Sequence, residues 1–316
     1  MSHDEPLRLQ FIDRSYGDAM TAVNRACPIG ADFTFLFERG HDILTWPDCV
    51  YDDYRYAGMF RGDDLRGYFM FGVYRGWDGR QDGRCLYAGD ARVHPDERGG
   101  RSTERAAVFV QSAIPASVEA GFALVKRGNV PADRVVTEQT TVPWKIYPLC
   151  GFEAANVLML GRVRPPGAPQ VRRAEARDLE AMAALFQDTV GRRAFAPRVT
   201  AERLARDVAL RPDYGLDRHY LAWDGGRLVG CVVAWDMAAL HRTVVLRYPP
   251  VLQWARRSWP LLQRLRRGVA PLPAPGEAFR ALTLTRLAVR DRDPRVLRAL
   301  LAQVINDHLG EGYHML

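Results

Sequence analysis

The sequence has few cysteines, almost no lysine and no long apolar run. Its five cysteines are scattered at long intervals without a CxxC pair, so we expect neither a disulfide framework nor a zinc or redox motif. The seven histidines form no HExxH or similar pair, and we assign no metal. No run approaches the ~18 apolar residues that a membrane-spanning helix needs, and the first ten residues contain two acids where a signal peptide is basic and apolar. We therefore expect a cytoplasmic protein.

The remaining composition is ordinary for a soluble globular protein, with 47% hydrophobic and 26% charged residues over 316 positions. This length predicts about two domains. The basic charge belongs to the second half: residues 1–160 have 18 basic and 22 acidic side chains (−4), and residues 161–316 have 26 and 15 (+11), which together give the net +7. All but two of the 44 basic residues are arginine. Because GC-rich coding produces the same bias, arginine content alone does not indicate nucleic-acid binding.

Three prolines in five residues stand near the middle of the chain, in the segment Arg164–Pro169. Such a run continues neither a helix nor a central strand, so we expect a linker here. Before it, apolar periodicity predicts a strand, a helix capped near Asp13, an aromatic-rich connection, three antiparallel strands, a helix, and a final strand, helix and strand. The predicted strands are Leu7–Ile12, Tyr54–Arg61, Leu65–Tyr74, Cys85–Val93, Phe122–Val125 and Val157–Val163.

The same opening recurs after the linker. A strand at Gln170–Arg173 is followed by a helix capped at Ala176–Asp178 and by a hairpin that turns at Gly225-Gly226. We therefore predict an α+β fold of two tandem units, with mixed central sheets flanked by helices. The predicted domains are residues 1–163, the linker 164–169 and residues 170–316.

A glycine-containing loop follows the strand that ends at Val93. The sequence from Val93 to Thr103, VHPDERGGRST, leads directly into a predicted helix, Ser102–Val118. A strand, a glycine loop and a helix start form an anion site, because free backbone N–H groups and the positive end of the helix dipole converge there. A pyrophosphate would fit this site. The alternative is an ordinary loop with a helix N-cap.

These residues resemble the signature of the GNAT acyl-CoA-dependent N-acyltransferases. In that family a strand ends in Val-x-Pro, two residues follow, and RGxGxG or RGxGxA opens a helix. Val93, Pro95, Arg98 and Gly99 stand at matching intervals. A later segment, Tyr147–Phe152, is similar to the family's YxxxGF sequence, which precedes a strand.

The resemblance covers nearly all of residues 7–163 and implies two tandem GNAT-like units, the first of which binds acetyl-CoA or a longer acyl-CoA as co-substrate. It also implies that the strands Cys85–Val93 and Phe122–Val125 are parallel and splay apart. Two loop positions depart from the family's pattern, because Arg101 and Thr103 replace small residues. Arg101 either supplies charge to the phosphates or is a solvated residue of the first helical turn. The residues expected to bind the acyl-CoA are Ala91, Val93, Arg98, Gly99, Gly100, Arg101, Ser102 and Thr103.

Transfer of an acyl group from a thioester to an amine needs a deprotonated amine, a stabilised oxyanion and a protonated leaving thiolate. The resemblance assigns Tyr147 as the general acid, and the alternative is a packing tyrosine. Asp90 is the candidate base. The alternatives are that Asp90 only pairs with Arg92, that Glu138 is the base, or that a water molecule mediates.

The function implied by the resemblance is an acyl-CoA-dependent N-acyltransferase acting on a small-molecule or peptide amine. A different class of function is a non-catalytic acyl-CoA-binding or regulatory protein that retains the fold after losing glycines. Binding of acyl-CoA without turnover would indicate the non-catalytic protein rather than the acyltransferase.

The second unit resembles the fold without the phosphate loop. After its predicted strand Leu282–Val289, the residues Arg290–Val296 contain no glycine and place two carboxylates where phosphates would sit. We expect no acyl-CoA there. The chain stops at Tyr313–Leu316, where the fifth strand of such a unit would begin. We therefore expect the second unit to be degenerate and incomplete at its C-terminus.

Residues 237–276 form a basic insertion in the second unit, with seven arginines and no acidic residue. Two helical stretches are expected within it, interrupted at Pro260. Such an amphipathic helix can bind an anionic membrane surface, a protein partner or nucleic acid, and its aliphatic face makes nucleic acid the least suitable. The alternative is a helix that packs on its own unit with its arginines in solvent; a homo-oligomer is a further option. The side chains expected on one face are Val251, Trp254, Leu261, Leu262 and Leu265.

Overall fold

The computed structural model of this chain describes residues 6–30, 32–40, 42–98, 105, 108–109, 114, 117–126, 128–129 and 147–316. Its contacts divide the chain into two compact units: residues 1–27 with 42–154, and residues 28–41 with 155–316. The described strands are β1 (Arg8–Ile12), β2 (Thr34–Arg39), β3 (Asp53–Arg61), β4 (Asp64–Trp77), β5 (Asp82–Val93), β6 (Val118–Ala123), β7 (Gln170–Arg173), β8 (His219–Asp224), β9 (Arg227–Asp236), β10 (His241–Arg247), β11 (Ala278–Phe279) and β12 (Leu282–Val289). The helices with described bounds are α1 (Gly17–Arg25), α2 (Thr45–Val50), α3 (Leu179–Thr189), α4 (Ala201–Leu210), α5 (Pro250–Leu265) and α6 (Pro294–His308).

The first unit is built on a five-stranded mixed sheet in the order β1-β3-β4-β5-β6. Neighbouring strands from β1 to β5 are antiparallel, and β6 is parallel to β5. The tight turn between β3 and β4 contains Gly62 at a φ of +60°, a left-handed conformation that suits glycine. The predictions of β1, β3, β4 and β5 are confirmed, with ends that differ by at most three residues.

Helix α1 covers one face of this sheet. Asp13 caps the short 3-10 turn before the helix, since the Ser15 N–H donates to Asp13 Oδ1 at 2.9 Å. The buried side chains of Met20 and Val23 are one helical turn apart and pack with the tyrosines and apolar side chains of β3 and β4. The prediction of a helix capped near Asp13 is therefore confirmed.

The helix predicted at Ser102–Val118 falls mostly outside the described residues. Val108 and Phe109 are described and are helical. The ring centroid of Phe109 lies 4.9 Å from that of Phe11 in β1. Neighbouring side chains of a strand point to opposite faces of the sheet. Ile12 packs in the core with α1, so Phe11 points to the other face, and Phe109 contacts that face.

Strands β5 and β6 separate before β5 ends. Their parallel pairing runs from Arg84 opposite Val118 to Ala88 opposite Ala123, and β5 then continues to Val93. Strand β6 starts four residues earlier than predicted and ends two residues earlier. The expected parallel pairing of these two strands is present, and among the described residues no strand pairs with this edge of β5 from Gly89 to Val93. We call this unpaired edge the opening between β5 and β6.

The second unit contains a four-stranded antiparallel sheet in the order β12-β9-β8-β7. Side chains of β8 alternate between the two faces: Tyr220 and Ala222 pack in a core with α6, and Leu221 packs in a core with α3. The strand order matches that of β1-β3-β4-β5 in the first unit. The prediction of an α+β fold with central sheets flanked by helices is confirmed.

The last residues of the chain lie beside β12. Met315 forms a parallel bridge with Ala281, next to the start of β12. The Leu282 N–H donates to the Met315 carbonyl oxygen at 3.0 Å. This segment thus occupies the place, parallel to β12, where the fifth strand of the second unit was expected to begin.

The segment Val157–Val163 was predicted to be a strand of the first unit, and this prediction is wrong. Its only described β-pairing is an isolated antiparallel bridge between Leu158 and Met315. The Met159 N–H also donates to the His314 carbonyl oxygen at 2.9 Å. Because of these backbone hydrogen bonds, Val157–Val163 belongs to the second unit.

Strand β2 was predicted to be part of an aromatic-rich connection. It pairs antiparallel with β10 in a three-stranded sheet of the order β11-β10-β2. Phe35 and Phe37 follow the period of two that a strand requires, but the partner strand lies about 200 residues further along the chain. Residues 28–41 therefore belong to the second unit, which differs from the predicted domain boundaries.

Both large sheets contain a β-bulge near the end of an antiparallel strand. Asp90 in β5 has a φ of +48° and Arg286 in β12 has a φ of +50°, and the strand register shifts beside each of them. Asp90 stands three residues before Val93, and Arg286 stands three residues before Val289. The bulge is thus a repeated feature of the two units.

The basic insertion forms β10 and α5. Helix α5 is continuous through Pro260, so the expected interruption is wrong. A proline inside a helix removes one backbone hydrogen bond, but side chains on either side of it are anchored to the following segment. Trp259 Nε1 donates to the Ala270 carbonyl oxygen at 2.8 Å, and Gln263 Nε2 donates to the Val269 carbonyl oxygen at 3.0 Å.

Candidate functional site

The candidate site lies where β5 leaves β6. At the bulge, Asp90 and Ala91 of β5 stand opposite the single residue Phe69 of β4. The left-handed φ of Asp90 is uncommon outside glycine, and aspartate and asparagine adopt it more readily than other residues. The extra residue bends the strand and changes the direction of the groups that follow it.

The Asp90 carboxylate lies on the tyrosine-rich side of the sheet, which α1 covers. The hydroxyl of the buried Tyr56 donates to Asp90 Oδ2 at 2.9 Å. Arg92 donates from Nε to Asn24 Oδ1 at 3.1 Å and from Nη1 to the Ala91 carbonyl oxygen at 2.9 Å. The Asp90 carboxylate is therefore positioned at the bulge by a hydrogen bond from Tyr56.

The backbone of Val93 faces the open edge of β5. The His94 N–H donates to the Arg66 carbonyl oxygen in β4 at 2.8 Å, and successive N–H groups of a strand point to opposite edges. The N–H of Val93 therefore points away from β4, to the edge from which β6 has separated. The Val93 carbonyl oxygen accepts from Arg98 Nε at 3.0 Å and from Cys27 Sγ at 3.2 Å. An N–H in this position can donate to an oxyanion that forms in the opening.

A buried ion pair fixes the start of the loop after β5. Glu97 is buried in the short 3-10 turn Pro95–Glu97. Arg61 donates from Nε and Nη2 to the two carboxylate oxygens of Glu97 at 2.8 and 2.6 Å, and Arg66 Nε lies 3.5 Å from Oε1. The hydrogen bonds from Arg61 are the main reason that the pKa of Glu97 is lowered. Sequence reasoning missed this residue, whose only signal is an acid directly before Arg98.

Three of the predicted acyl-CoA-binding residues are described, and the structure brings them together at the end of β5: Ala91 in the bulge, Val93 at the open edge, and Arg98 on the Val93 carbonyl oxygen. The other five, and the alternative base Glu138, lie outside the described residues. Those five are Gly99, Gly100, Arg101, Ser102 and Thr103.

Tyr147, the predicted general acid, is described but has no regular secondary structure around it. Its side chain is 70% exposed, and Phe152 of the same YxxxGF segment is 64% exposed. The alternative of a packing tyrosine has no support from this exposure. Its role as general acid stays a prediction.

The corresponding place in the second unit holds a carboxylate. Asp293 caps α6, since the Arg295 N–H donates to Asp293 Oδ1 at 2.8 Å. The Arg295 guanidinium also lies 2.7 Å from the same carboxylate. The positive end of α6 is thus occupied by a side chain of the protein, as the acidic residues after β12 predict.

Within the described ranges, no three histidine, cysteine, aspartate or glutamate side chains converge on a point that could hold a metal ion. The five cysteines are free thiols. No helix in that same part of the chain is long and apolar enough to cross a membrane.

No protein-family model and no curated protein matches the sequence. Similar solved structures include a probable N-acyltransferase from Enterococcus faecalis V583, which is 11% identical with a TM-score of 0.47 and matches 98% of this chain and 64% of its own. The N-myristoyltransferase of Saccharomyces cerevisiae with bound myristoyl-CoA is 11% identical with a TM-score of 0.48 and matches 79% of this chain and 61% of its own. An aminoglycoside acetyltransferase from an uncultured soil metagenomic sample is 9% identical with a TM-score of 0.32, and it matches 48% of this chain and 98% of its own.

Two of these three similar structures are acyltransferases, and the third is a probable one. GNAT-type N-acyltransferases are the class that the loop after Val93 resembles. The chain spans less than two thirds of the length of the first two proteins. At such identities and TM-scores, these likenesses carry no inference about the activity, substrate or partners of this chain.

Proposed function

We propose that the first unit is an acyl-CoA-dependent N-acyltransferase, which transfers the acyl group of acetyl-CoA or a longer acyl-CoA to the amine of a small molecule or a peptide. The observation that carries this proposal is the opening between β5 and β6, with the Asp90 bulge and the Val93 N–H on its edge. The thioester lies in this opening, and the pyrophosphate binds residues 99–103, the glycine-containing loop of the sequence.

In the proposed reaction, the amine nitrogen attacks the thioester carbonyl carbon, and the Val93 N–H donates to the resulting oxyanion. Asp90 takes the proton that the nitrogen loses, directly or through a water molecule. The C–S bond then breaks, and Tyr147 gives its hydroxyl proton to the departing thiolate. The products are an amide and CoA, and the proton held by Asp90 restores Tyr147 through solvent.

Calorimetric titration with acetyl-CoA and with longer acyl-CoAs tests the binding step. Arg98→Ala removes a charged donor from the start of the loop and should weaken binding by about tenfold or more. Arg295→Ala is the matched control, because Arg295 is an exposed arginine in the first turn of α6, after β12 of the second unit, and should leave binding unchanged. If no acyl-CoA binds at high micromolar concentrations, the proposal is contradicted.

The acceptor is tested separately, by a screen of small-molecule and peptide amines with CoA release as the readout. Acyl-CoA chain length is varied in the same screen, since chain length and acceptor are independent unknowns. Release of CoA that requires both an amine and an intact Asp90 supports the proposed reaction.

The second candidate function is acyl-CoA binding without catalysis. It is favoured by Arg101 and Thr103, which replace small residues of the family's loop and leave less room for a pyrophosphate. Binding of acyl-CoA with no CoA release for any amine would select this function.

A further inference from the structure

Helix α5 exposes its apolar side chains. Val251, Trp254, Leu261 and Leu265 are separated by three, seven and four residues, so they form one stripe along the helix. Their exposed fractions are 77, 71, 60 and 82%, and no residue of the helix is buried. The stripe therefore faces away from the unit to which the helix belongs.

The other side of α5 is fixed to the second unit by polar contacts. Besides the hydrogen bonds of Trp259 and Gln263, Gln253 Nε2 donates to the Tyr248 carbonyl oxygen at 2.9 Å. Val269 and Ala270, which receive the bonds from the other two side chains, are buried. The orientation of α5 is thus set by the side opposite the stripe. The helix thus packs on its own unit with Arg257 and Arg264 exposed, as the alternative from the sequence states, but it does so through polar contacts and leaves the stripe exposed.

Arginines flank the stripe on one side. Arg257 and Arg264 stand three residues after Trp254 and Leu261, so each lies beside the stripe. Both are exposed. The nearest acid in the sequence is Glu277, beyond the acid-free segment 237–276, and its carboxylate accepts from the Ala274 N–H at 2.7 Å.

A small cavity near the start of α5 lies on the anchored side of the helix, and Arg257 is the one of the two flanking arginines that also lines it. Its volume is about 230 Å³, and Nε of Arg256 is buried there without a hydrogen bond among the described residues. The cavity brings three guanidinium groups and one tyrosine together without a carboxylate in its lining, which suits a phosphate group. The lining residues are Leu246, Arg247, Tyr248, Gln253, Arg256, Arg257 and Pro275.

We propose that α5 is an interfacial helix through which the second unit binds the surface of an anionic phospholipid bilayer. The stripe enters the boundary between headgroups and acyl chains, with Trp254 at the depth that tryptophan prefers. Arg257 and Arg264 lie at the level of the lipid phosphates. This proposal does not depend on the acyl-transfer activity of the first unit.

Charge and shape together favour this occupant. Nucleic acid would pair with the arginines but would leave the apolar stripe in water. A second copy packed antiparallel would cover the stripe but would bring the arginine rows of both copies to the same side without acids to balance them. An anionic bilayer covers the stripe and neutralises the arginines at the same time.

Co-sedimentation of the full chain with vesicles of phosphatidylcholine, with or without 30% phosphatidylserine, tests the proposal at 50 and 500 mM salt. We expect binding only to the anionic vesicles and a marked loss at high salt, because the Debye length falls. The charge variant should lose about fivefold in affinity per arginine, and the stripe variant should lose at least about tenfold. The charge variant is Arg257→Ser with Arg264→Ser, and the stripe variant is Trp254→Ser, Leu261→Ser and Leu265→Ser.

Matched controls change the same residue types elsewhere on the second unit. Leu210→Ser removes an apolar side chain of α4 that is 54% exposed, and Arg192→Ser with Arg193→Ser removes two exposed arginines. Both controls should bind as the unaltered chain does. Circular dichroism of every variant shows whether the fold is retained.

The proposal is overturned if the chain does not sediment with anionic vesicles, or if the charge and stripe variants bind as well as the controls. It is also overturned if sedimentation velocity without lipid shows a dimer that only the stripe variant abolishes, since the stripe would then be a contact between copies. Binding to duplex DNA or RNA that the stripe variant retains in full, without vesicle binding, would assign the arginines to nucleic acid.

Discussion

Asp90 combines a left-handed backbone at the bulge of β5 with a carboxylate that accepts from the Tyr56 hydroxyl. Asp90→Asn keeps the tolerance for this backbone and keeps an oxygen that accepts from the Tyr56 hydroxyl, but it removes the basic oxygen. We expect the turnover number to fall by about 10²–10⁴-fold, the range for one general base, with acyl-CoA affinity and melting temperature nearly unchanged. Steady-state kinetics and thermal melts check this. A turnover number close to that of the unaltered enzyme would assign Asp90 to strand geometry alone.

Tyr147 is the predicted proton donor to the thiolate, and its exposed side chain makes few contacts that a substitution could disturb. Tyr147→Phe should lower turnover by about 10²–10⁴-fold, while acyl-CoA affinity and stability stay the same. Rate measurements and calorimetry on the variant separate the two effects. An unchanged rate would show that a group other than Tyr147 protonates the thiolate.

Glu97 stabilises the first unit through Arg61. The pKa of Glu97 is lowered in the folded protein, so its contribution to stability is present above the ordinary carboxyl pKa and is lost as the pH falls through the lower folded value. Glu97→Gln should cost about 3 kcal/mol at pH 7, the lower end of the range for breaking a buried ion pair. Urea unfolding at pH 7 and pH 3 should show this difference shrinking with acid. A difference that is the same at both pH values would contradict the ion pair as its source.

At the scale of elements, one buried carboxylate joins α4 to the bulge of β12. Asp207 is buried and accepts from Arg286 at 2.8 Å, and Arg203 and Arg211 each lie 3.1 Å from it. The second unit thus uses the repeated bulge for structure, with an arginine where the first unit has Asp90. The side chains at the two bulges therefore have opposite charges: an aspartate in the first unit and an arginine in the second.

Asp207→Asn should destabilise the second unit by about 3–5 kcal/mol, because three guanidinium groups then lose their shared carboxylate. The matched control is Asp188→Asn, which breaks an exposed pair with Arg290 and should cost less than about 1 kcal/mol. Chemical unfolding monitored by tryptophan fluorescence compares the two variants. Equal costs would show that the buried cluster contributes no more than a surface pair.

At the scale of the whole molecule, the second unit contains a segment from the start of the chain. Residues 28–41 supply β2, which pairs with β10, and Phe33 contacts Tyr248 and Phe279 at ring centroid distances of 5.5 and 6.3 Å. A fragment of residues 155–316 lacks this strand and leaves the edge of β10 uncovered.

We expect the isolated fragment 155–316 to aggregate or to unfold at a lower temperature than the second unit of the full chain. A synthetic peptide of residues 28–41 should restore its stability, and a scrambled peptide of the same composition should not. Thermal melts with each peptide provide the measurement. A fragment that is as stable alone as with the peptide would show that β2 adds nothing to the second unit.

Local patterns in the sequence were sufficient for much of the fold. Apolar periodicity predicted β3, β4 and β5, and the same signal with a cap near Asp13 predicted α1. The intervals of Val93, Pro95 and Arg98 indicated where the candidate site begins. Each of these signals lies within one element or its flanks, where residue spacing directly reflects backbone geometry.

Tertiary structure alone decided the features that depend on distant partners. The pairing of β2 with β10 joins segments about 200 residues apart, and the Glu97–Arg61 ion pair joins a loop to the end of another strand. The bulge places Asp90 at a positive φ. Because the residue at this position is not a glycine, the sequence does not indicate that conformation. The sequence determined that α5 is amphipathic, but the side chains that anchor its polar side determined that its apolar stripe faces outward. A residue pattern specifies which side chains share a face, whereas only the surrounding contacts specify what that face meets.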